Sequence, residues 1–215
     1  MVSICLAKLG FDVVAADIPE YMSMPEQKER FDRRGIKTAS VRLQDYVLPF
    51  KDESFHAIIM CEVLEHLNFN PLPLLKEINR VGAANSLFYL SLPNLAYYKN
   101  RLKFLFGHSM LQPISSYFDQ LDPSKLEIVK GHWREYTGAE TVDMLKRLGY
   151  DIYQQYYFSI VDEMKNPTVK NRLTRSVFKT FPSWKENQTT VTIRKARTEI
   201  VFRIPKTVHP TLEKL

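Results

Sequence analysis

Short apolar runs alternate with helix-like segments over the first 92 residues, and this alternation constrains the fold more than any other feature of the chain. Strand-like runs lie at 11–17, 36–41, 55–61 and 86–92, and helical patterns lie at 1–9, 25–34 and 73–81. Strands that alternate with helices usually pair in parallel, with the helices packed on the sheet. The sequence therefore predicts an α/β fold with a Rossmann-like, doubly wound and mostly parallel sheet.

The pattern changes after residue 94. Residues 95–131 are rich in aromatic side chains and contain no clear strand, which is typical of a lid or a helical insertion. A helix is predicted at 137–148, and strand-like runs follow at 150–160, 189–194 and 199–204. Late strands joined without helices indicate an antiparallel addition to a sheet. We expect a core over 1–160 and a basic C-terminal extension over 161–215 that completes the sheet edge.

The net charge of +6 is concentrated in the second half of the chain. Residues 1–98 carry 10 basic and 12 acidic side chains, whereas the residues beyond 164 carry 12 basic and 3 acidic ones. A basic segment can meet phosphate, an anionic membrane surface or nucleic acid, or it can be an ordinary solvated surface. No nucleic-acid-binding motif is recognisable, which argues against nucleic acid as the partner.

The cysteines and the N-terminal residues indicate the cellular compartment. Cys5 and Cys61 are the 2 cysteines, and without C-x-x-C spacing they predict neither a zinc finger nor a disulfide framework. The N-terminal residues do not have the pattern of a signal peptide, and no apolar run approaches the roughly 20 residues of a membrane span. We therefore expect a cytoplasmic protein without a transmembrane segment.

Glycine is scarce, with 7 residues of 215, and no two glycines are closer than 7 positions. The chain thus lacks both G-x-G and Walker-type loops, so clustered glycines form no phosphate cradle. Ligands of open α/β sheets nevertheless bind at the carboxyl ends of the strands. In this chain those ends carry Asp17, Asp45, Glu62 and Asn94.

Four blocks of sequence carry a resemblance to a known family. They are GFDVVAAD at 10–17, LPFKDESFHAIIMCEVLEHL at 48–67, LSLPNL with NRLKFLFG at 90–107, and HWREYT leading to LGY at 132–150. In this order and at this spacing they resemble a class I S-adenosylmethionine (SAM)-dependent methyltransferase over roughly residues 1–160. Within that class the chain is similar to ubiquinone-biosynthesis-type O-methyltransferases.

The resemblance implies a SAM site at the strand ends. Asp17 would accept hydrogen bonds from the ribose hydroxyls, although a simple turn acid is the alternative for this residue. Asp45 would accept from the adenine amine, and the methionyl part would lie near Cys61. The cofactor-binding residues implied in this way are Asp17, Ile18, Asp45, Tyr46, Cys61 and Glu62.

The resemblance also implies a metal site in the E-x-x-E-H motif at 62–66. On a helical turn Glu62, Glu65 and His66 would face one way, and with His132 they would hold a divalent ion such as Mg²⁺. Metal-free relatives carry the same motif, and in them Glu65 and His66 cap and pair locally. In that case His132 or His66 is the expected catalytic base.

One part of the family pattern is not found ahead of the helix at 1–9, namely the first strand with its glycine-rich loop. The strands on either side would then flank an empty slot with unpaired edges, which favours a homo-oligomer. The sequence is consistent with an N-terminally shortened enzyme or with a degenerate relative.

The predicted reaction is methyl transfer from SAM to a hydroxyl of a small molecule or sugar. The expected acceptor-binding residues are Tyr97, Tyr98 and Tyr136, although each of them can equally be a core residue. Two alternatives stay open. They are RNA 2′-O-methylation and a non-catalytic pseudo-methyltransferase that serves as a binding module.

Overall fold

The computed structural model describes residues 2–111, 115–118, 131–164 and 168–194. Six strands and nine helices lie in these ranges, joined by short 3₁₀ turns. The strands are β1 (Val14–Asp17), β2 (Lys37–Ser40), β3 (Phe55–Cys61), β4 (Gly82–Pro93), β5 (Tyr150–Phe158) and β6 (Asn187–Arg194). The helices are α1 (Val2–Lys8), α2 (Pro19–Met22), α3 (Pro25–Asp32), α4 (Leu72–Val81), α5 (Tyr98–Leu105), α6 (Ser115–Phe118), α7 (Gly138–Arg147), α8 (Ile160–Glu163) and α9 (Val169–Thr180).

The described strands form two sheets. β1 and β2 pair in parallel, and the second sheet has the order β3-β4-β6-β5. In the second sheet β3 and β4 are parallel, whereas β6 is antiparallel to both β4 and β5. The α/β class and the mixed sheet with antiparallel late strands are therefore confirmed.

β1 and β3 are not hydrogen-bonded to each other within the described residues, so each has one open edge. On β3, the side chain of Ile59 is 40% exposed. Exposed strand edges are templates for further pairing.

Each sheet has its own hydrophobic core. The larger core lies between the four-stranded sheet and helices α4 and α7, where Leu74, Leu75, Leu92 and Leu145 are fully buried. The apolar face of α4 supplies much of it, because its apolar residues recur at helical spacing. The smaller core joins Ala15, Phe31 and Ile36 of the two-stranded unit.

Helix α7 begins at a capping box, as the sequence predicts for residue 137. The hydroxyl of Thr137 accepts from the N–H of Glu140, and the Glu140 carboxylate accepts from the N–H of Thr137. This arrangement fixes the direction of the chain between the loop at 131–136 and the sheet.

The C-terminal part differs from the expectation in one respect. β6 does not form the sheet edge but lies between β4 and β5, and β5 is the edge strand. Asn187–Arg194 is thus part of the same sheet as β3 and β4. α9 was not expected from the sequence, and the strand-like run at 199–204 lies outside the described residues. None of the described helices is both long and apolar enough to cross a bilayer.

Candidate active site

Asp17 ends β1 at an exposed position. Its Oδ1 accepts from the N–H of Ile18 at 2.8 Å, and its backbone oxygen accepts from the N–H of Val41 at 2.8 Å. A carboxylate has about four lone-pair positions, so these bonds leave acceptor capacity on the side chain. The side chain of Ile18 is 46% exposed beside it.

Asp45 lies on a 3₁₀ turn at Leu43–Asp45, and its side chain is exposed. Tyr46 follows in the left-handed region with φ +57°, and its ring packs edge-on against Phe69 with a centroid distance of 5.6 Å. Tyr46 also contacts the main core. The ring of Tyr46 therefore anchors the loop that carries Asp45.

The residues after β3 do not form the expected helical turn. Glu62 has a φ of +53°, in the left-handed region, and a 3₁₀ turn begins only at Leu64. Glu62 therefore lies outside the 3₁₀ turn that carries Glu65 and His66, so the three residues do not share one helical turn. Burial raises the pKa of the Cys61 thiol, and partial burial likewise raises the pKa of Glu62.

Glu65 is a buried carboxyl group without a hydrogen-bond donor among the described residues. Its side chain has 0% exposure, and His66 Nε2 lies 3.7 Å from its Oε1. Burial raises the pKa of Glu65 to about 7. A carboxyl group that is desolvated and unpaired is costly, and such groups are frequent at functional sites.

His66 and His132 are in edge-to-face contact beside Glu65. Their ring centroids are 5.0 Å apart. His66 Nδ1 is 3.2 Å from the carbonyl oxygen of Gly131, and His132 Nδ1 is 2.7 Å from Oε1 of Glu135. Donation from Nδ1 to these oxygens leaves Nε2 of each ring as an acceptor.

Three side chains that can act as metal ligands lie close together in this cluster. One ligand atom from each of Glu65, His66 and His132 lies within 4.8 Å of the others. The Nδ1 contacts of the two rings are of the kind that orient metal-bound histidines. Glu62 is not one of the three, although it contacts Glu65.

A cleft of about 350 Å³ lies next to this cluster. Glu135 connects the two, because its Oε1 contacts His132 and its Oε2 accepts from Asn100 at 3.4 Å. Most of the lining side chains are polar, and the residues are Pro93, Asn94, Tyr97, Lys99, Asn100, Glu135, Glu186 and Asn187. The cleft can therefore receive a ligand that forms several hydrogen bonds.

The three tyrosines expected near the acceptor have different surroundings. Tyr97 lines the cleft, and the ring of Tyr98 packs against the rings of Tyr97 and Phe178. Tyr136 is only 6% exposed and belongs to the main core, and it does not line the cleft. Burial raises the pKa of Tyr136.

Sequence reasoning missed Glu135, Asn100 and Glu186 as site residues. Glu135 stands three positions after His132 in the H-W-R-E stretch, and that spacing was an available signal. Asn100 and Glu186 are far apart in the chain, and only the position of β6 beside β4 brings them to the same cleft.

Comparisons with known proteins find one family model and a set of solved structures that are similar to this chain. Residues 1–90 match the family described as a methyltransferase domain. No curated protein sequence matches the chain. Among solved structures, a SAM-dependent methyltransferase from Methanosarcina mazei has a TM-score of 0.60 at 16% identity, covering 91% of this chain and 87% of that one.

Two further structures share the fold. A protein from Pyrococcus horikoshii has a TM-score of 0.56 at 19% identity, with 90% and 76% of the two chains covered. A SAM-dependent methyltransferase from Archaeoglobus fulgidus has a TM-score of 0.54 at 14% identity, with 89% and 80% covered. Residues 1–90 thus match a methyltransferase-domain family, and these solved structures share the fold of the chain.

Proposed function

We propose that this chain transfers a methyl group from SAM to a hydroxyl of a small molecule or sugar. The observation that carries this proposal is the contact between the polar cleft and the Glu65–His66–His132 cluster. Glu135 belongs to the cleft wall and also holds His132. An acceptor in the cleft is then close to groups that can remove or polarise its proton.

The cofactor would bind at the carboxyl ends of β1 and β3. Asp17 has free acceptor capacity for the ribose hydroxyls, and the exposed side chain of Ile18 offers an apolar surface to the adenine ring. Asp45 is exposed on a loop that Tyr46 anchors, which suits it to accept from the adenine amine. Cys61 and Glu62 would lie along the methionyl part.

The acceptor would bind in the cleft. Its amide and carboxylate side chains can bond several hydroxyl groups at once, which favours a sugar or another polyol over an apolar acceptor. Tyr97 supplies an aromatic wall, and Tyr98 supports it from behind.

His132 would accept the proton of the attacking hydroxyl. The contact between its Nδ1 and Glu135 orients the ring and leaves Nε2 free, and a carboxylate at Nδ1 stabilises the imidazolium that forms. Methyl transfer is an in-line displacement, so alignment and this proton acceptor are the main requirements.

The cluster also fits a divalent cation, because the Glu65 oxygens accept no hydrogen bond from the residues that the structure describes and a ring nitrogen of each histidine lies within 4.8 Å. Glu65, His66 and His132 would hold it. Two imidazoles and one carboxylate favour Mn²⁺ or Zn²⁺ over the Mg²⁺ expected from the sequence. Such a cation polarises a hydroxyl and lowers its pKa. His132 cannot bind it and act as the base with the same nitrogen, so activity in a chelator distinguishes the two roles.

Calorimetric titration with SAM tests the proposal. We expect the wild-type chain to bind SAM and the Asp17→Ala variant to bind about a hundredfold more weakly, because hydrogen bonds to a charged group are lost. Asp12→Ala is the matched control, since Asp12 is an exposed acid ahead of the same strand. Its carboxylate forms an ion pair with Lys37. Absence of SAM binding by the wild type would overturn the enzyme proposal in favour of a binding module. Equal affinity in Asp17→Ala would overturn the placement of the ribose.

A further inference from the structure

Helix α9 presents an apolar stripe to solvent. Val169, Leu173 and Val177 recur every four residues and are 73%, 66% and 40% exposed, and Phe181 continues the series at 47%. Residues at this spacing share one face of a helix. Phe178, only 2% exposed, anchors the opposite face in the protein.

Helix α5 adds a second exposed apolar group beside α9. Leu102, Phe104, Leu105 and Phe106 are between 47% and 75% exposed. Single exposed apolar residues are ordinary, but clusters of this kind mark interaction surfaces.

Aromatic contacts join the two helices. Tyr98 of α5 packs on Phe178 of α9, with ring centroids 5.8 Å apart. The Arg101 guanidinium lies over the Trp184 ring, and Trp184 stacks on Phe181 at the end of the α9 stripe. The end of the α9 stripe is thus linked to α5 through Trp184 and Arg101. We call the exposed apolar residues of the two helices, together with these linking residues, the α5–α9 surface.

The charges of the α5–α9 surface have one sign. The two helices contain seven basic and no acidic residues, namely Lys99, Arg101, Lys103, Lys170, Arg172, Arg175 and Lys179. An open cleft of about 410 Å³ beside α9 is lined by Arg172, Arg175, Lys179 and Lys185 together with Asp162 and Ser176.

Two of the basic side chains in this cleft are available for a ligand. Arg175 donates to backbone carbonyls, and Lys185 pairs with Asp162 at 2.9 Å. Arg172 and Lys179 form no ion pair with any residue in the described ranges. An anionic group would complement their charge.

We propose that the α5–α9 surface docks the chain on the surface of an anionic phospholipid bilayer. Exposed aliphatic and phenylalanine side chains would enter the acyl boundary, and Arg172 and Lys179 would meet phosphate groups. Basic helices with exposed apolar side chains bind bilayers in this way, by combining apolar burial with electrostatic attraction. A nucleic acid would use the charges but would leave the aliphatic stripe of α9 in water.

This docking would bring the proposed acceptor cleft close to the lipid surface. Lys99 and Asn100 belong to α5 and also line that cleft. The docking does not depend on catalysis, so it is tested without SAM.

Vesicle co-sedimentation tests the docking. The probes are vesicles of phosphatidylcholine with about 30 mol% phosphatidylglycerol and vesicles of pure phosphatidylcholine. We expect binding to the anionic vesicles that is at least about tenfold stronger than to the neutral ones and that weakens with added salt. Equal binding to both vesicles, or binding to neither, would overturn the proposal. This comparison uses only the wild-type chain.

Two double variants separate the contributions. Leu173→Ser with Val177→Ser removes apolar contact, and Arg172→Glu with Lys179→Glu reverses charge, and each is expected to weaken vesicle binding about tenfold. Leu9→Ser with Lys28→Glu is the matched control. Leu9 directly follows α1, Lys28 lies on α3, and both positions are exposed. Variants that bind as tightly as the wild type would contradict the proposal.

Two further probes test the alternative occupants. The first probe is poly-uridine. If it binds tightly while vesicles do not bind, and if Leu173→Ser with Val177→Ser leaves its affinity unchanged, the surface belongs to nucleic acid and the proposal is overturned. Inorganic phosphate that binds at Arg172 and Lys179 while vesicles stay unbound would reduce the cleft to a free-anion site and also overturn it. Failure of SAM binding, by contrast, leaves every one of these readouts unchanged.

Discussion

The Nδ1 atom of His132 lies 2.7 Å from Oε1 of Glu135, three residues later in the loop that precedes α7. This pair couples the buried cluster around Glu65 to the wall of the polar cleft, since Glu135 also contacts Asn100. The position of the imidazole therefore depends on a carboxylate that an acceptor in the cleft would meet.

Glu135→Gln should weaken Mn²⁺ binding about 10- to 100-fold, because the amide no longer holds the His132 ring with a charged acceptor. The measurement is a calorimetric titration with Mn²⁺. Asp143→Asn is the control, since Asp143 is an exposed acid on α7 that pairs with Arg147 away from the cluster. A Glu135→Gln variant with wild-type affinity would mean that Glu135 does not position the ligand.

Stability should decrease as the pH rises through the titration range of Glu65. Its pKa is about 7 in the folded chain and 4.5 when unperturbed, so between these values the folded state holds a proton that the unfolded state has released. The free energy of unfolding is expected to fall by roughly 3 kcal/mol from pH 4.5 to pH 7. Denaturant unfolding in a chelator measures this change.

Glu65→Gln should remove that pH dependence, because the amide cannot titrate. The matched control is Glu26→Gln, at an exposed position of α3, which should keep the wild-type slope. If Glu65→Gln shows the same decrease as the wild type, another group is responsible for it.

Thr137→Ala should lower the free energy of unfolding by about 1 kcal/mol, because the capping box at the start of α7 loses its hydroxyl. Thermal unfolding monitored by circular dichroism reports the change. Ser3→Ala, within α1, is the control, since alanine favours a helix and the Ser3 side chain makes no hydrogen bond within the described ranges. Equal melting temperatures for Thr137→Ala and the wild type would show that the cap contributes nothing.

The open edge of β3 should cause association at high protein concentration. Ile59 is 40% exposed on this strand, and a charge on an edge strand opposes pairing with another chain. Sedimentation velocity is expected to show larger species for the wild type, with fewer for Ile59→Lys. Ile59→Thr controls for the loss of apolar surface. Association that is unchanged in Ile59→Lys would locate the contact elsewhere.

The first 94 residues were the most predictable part of the fold, for a physical reason. The apolar run at 86–92 is largely buried in β4, and α4 has apolar residues at helical spacing, so local pattern and tertiary burial agree there. The run at 55–61 also forms a strand, although most of its residues are exposed or half-buried. α9 was missed although Val169, Leu173 and Val177 recur at helical spacing, and the position of β6 was missed because sheet order is not encoded in local sequence.

The site was predictable to a smaller extent. Glu65, His66 and His132 were expected together, and the structure brings them together. The turn at Glu62 was not expected, because a left-handed backbone at a glutamate has no local sequence signal. The spacing of Glu135 from His132 was an available signal, but the contact of Glu135 with Asn100 depends on the fold and has no local sequence signal.

The insertion of β6 between β4 and β5 has a consequence for the order of events during synthesis. Within the described residues β5 pairs with no strand except β6, although β6 is made about 30 residues later. β5 therefore stays unpaired while α8 and α9 are synthesised. A nascent chain stalled before residue 187 would therefore expose β5 together with the edge of β4 that β6 later covers. A chaperone would bind the chain at this stage.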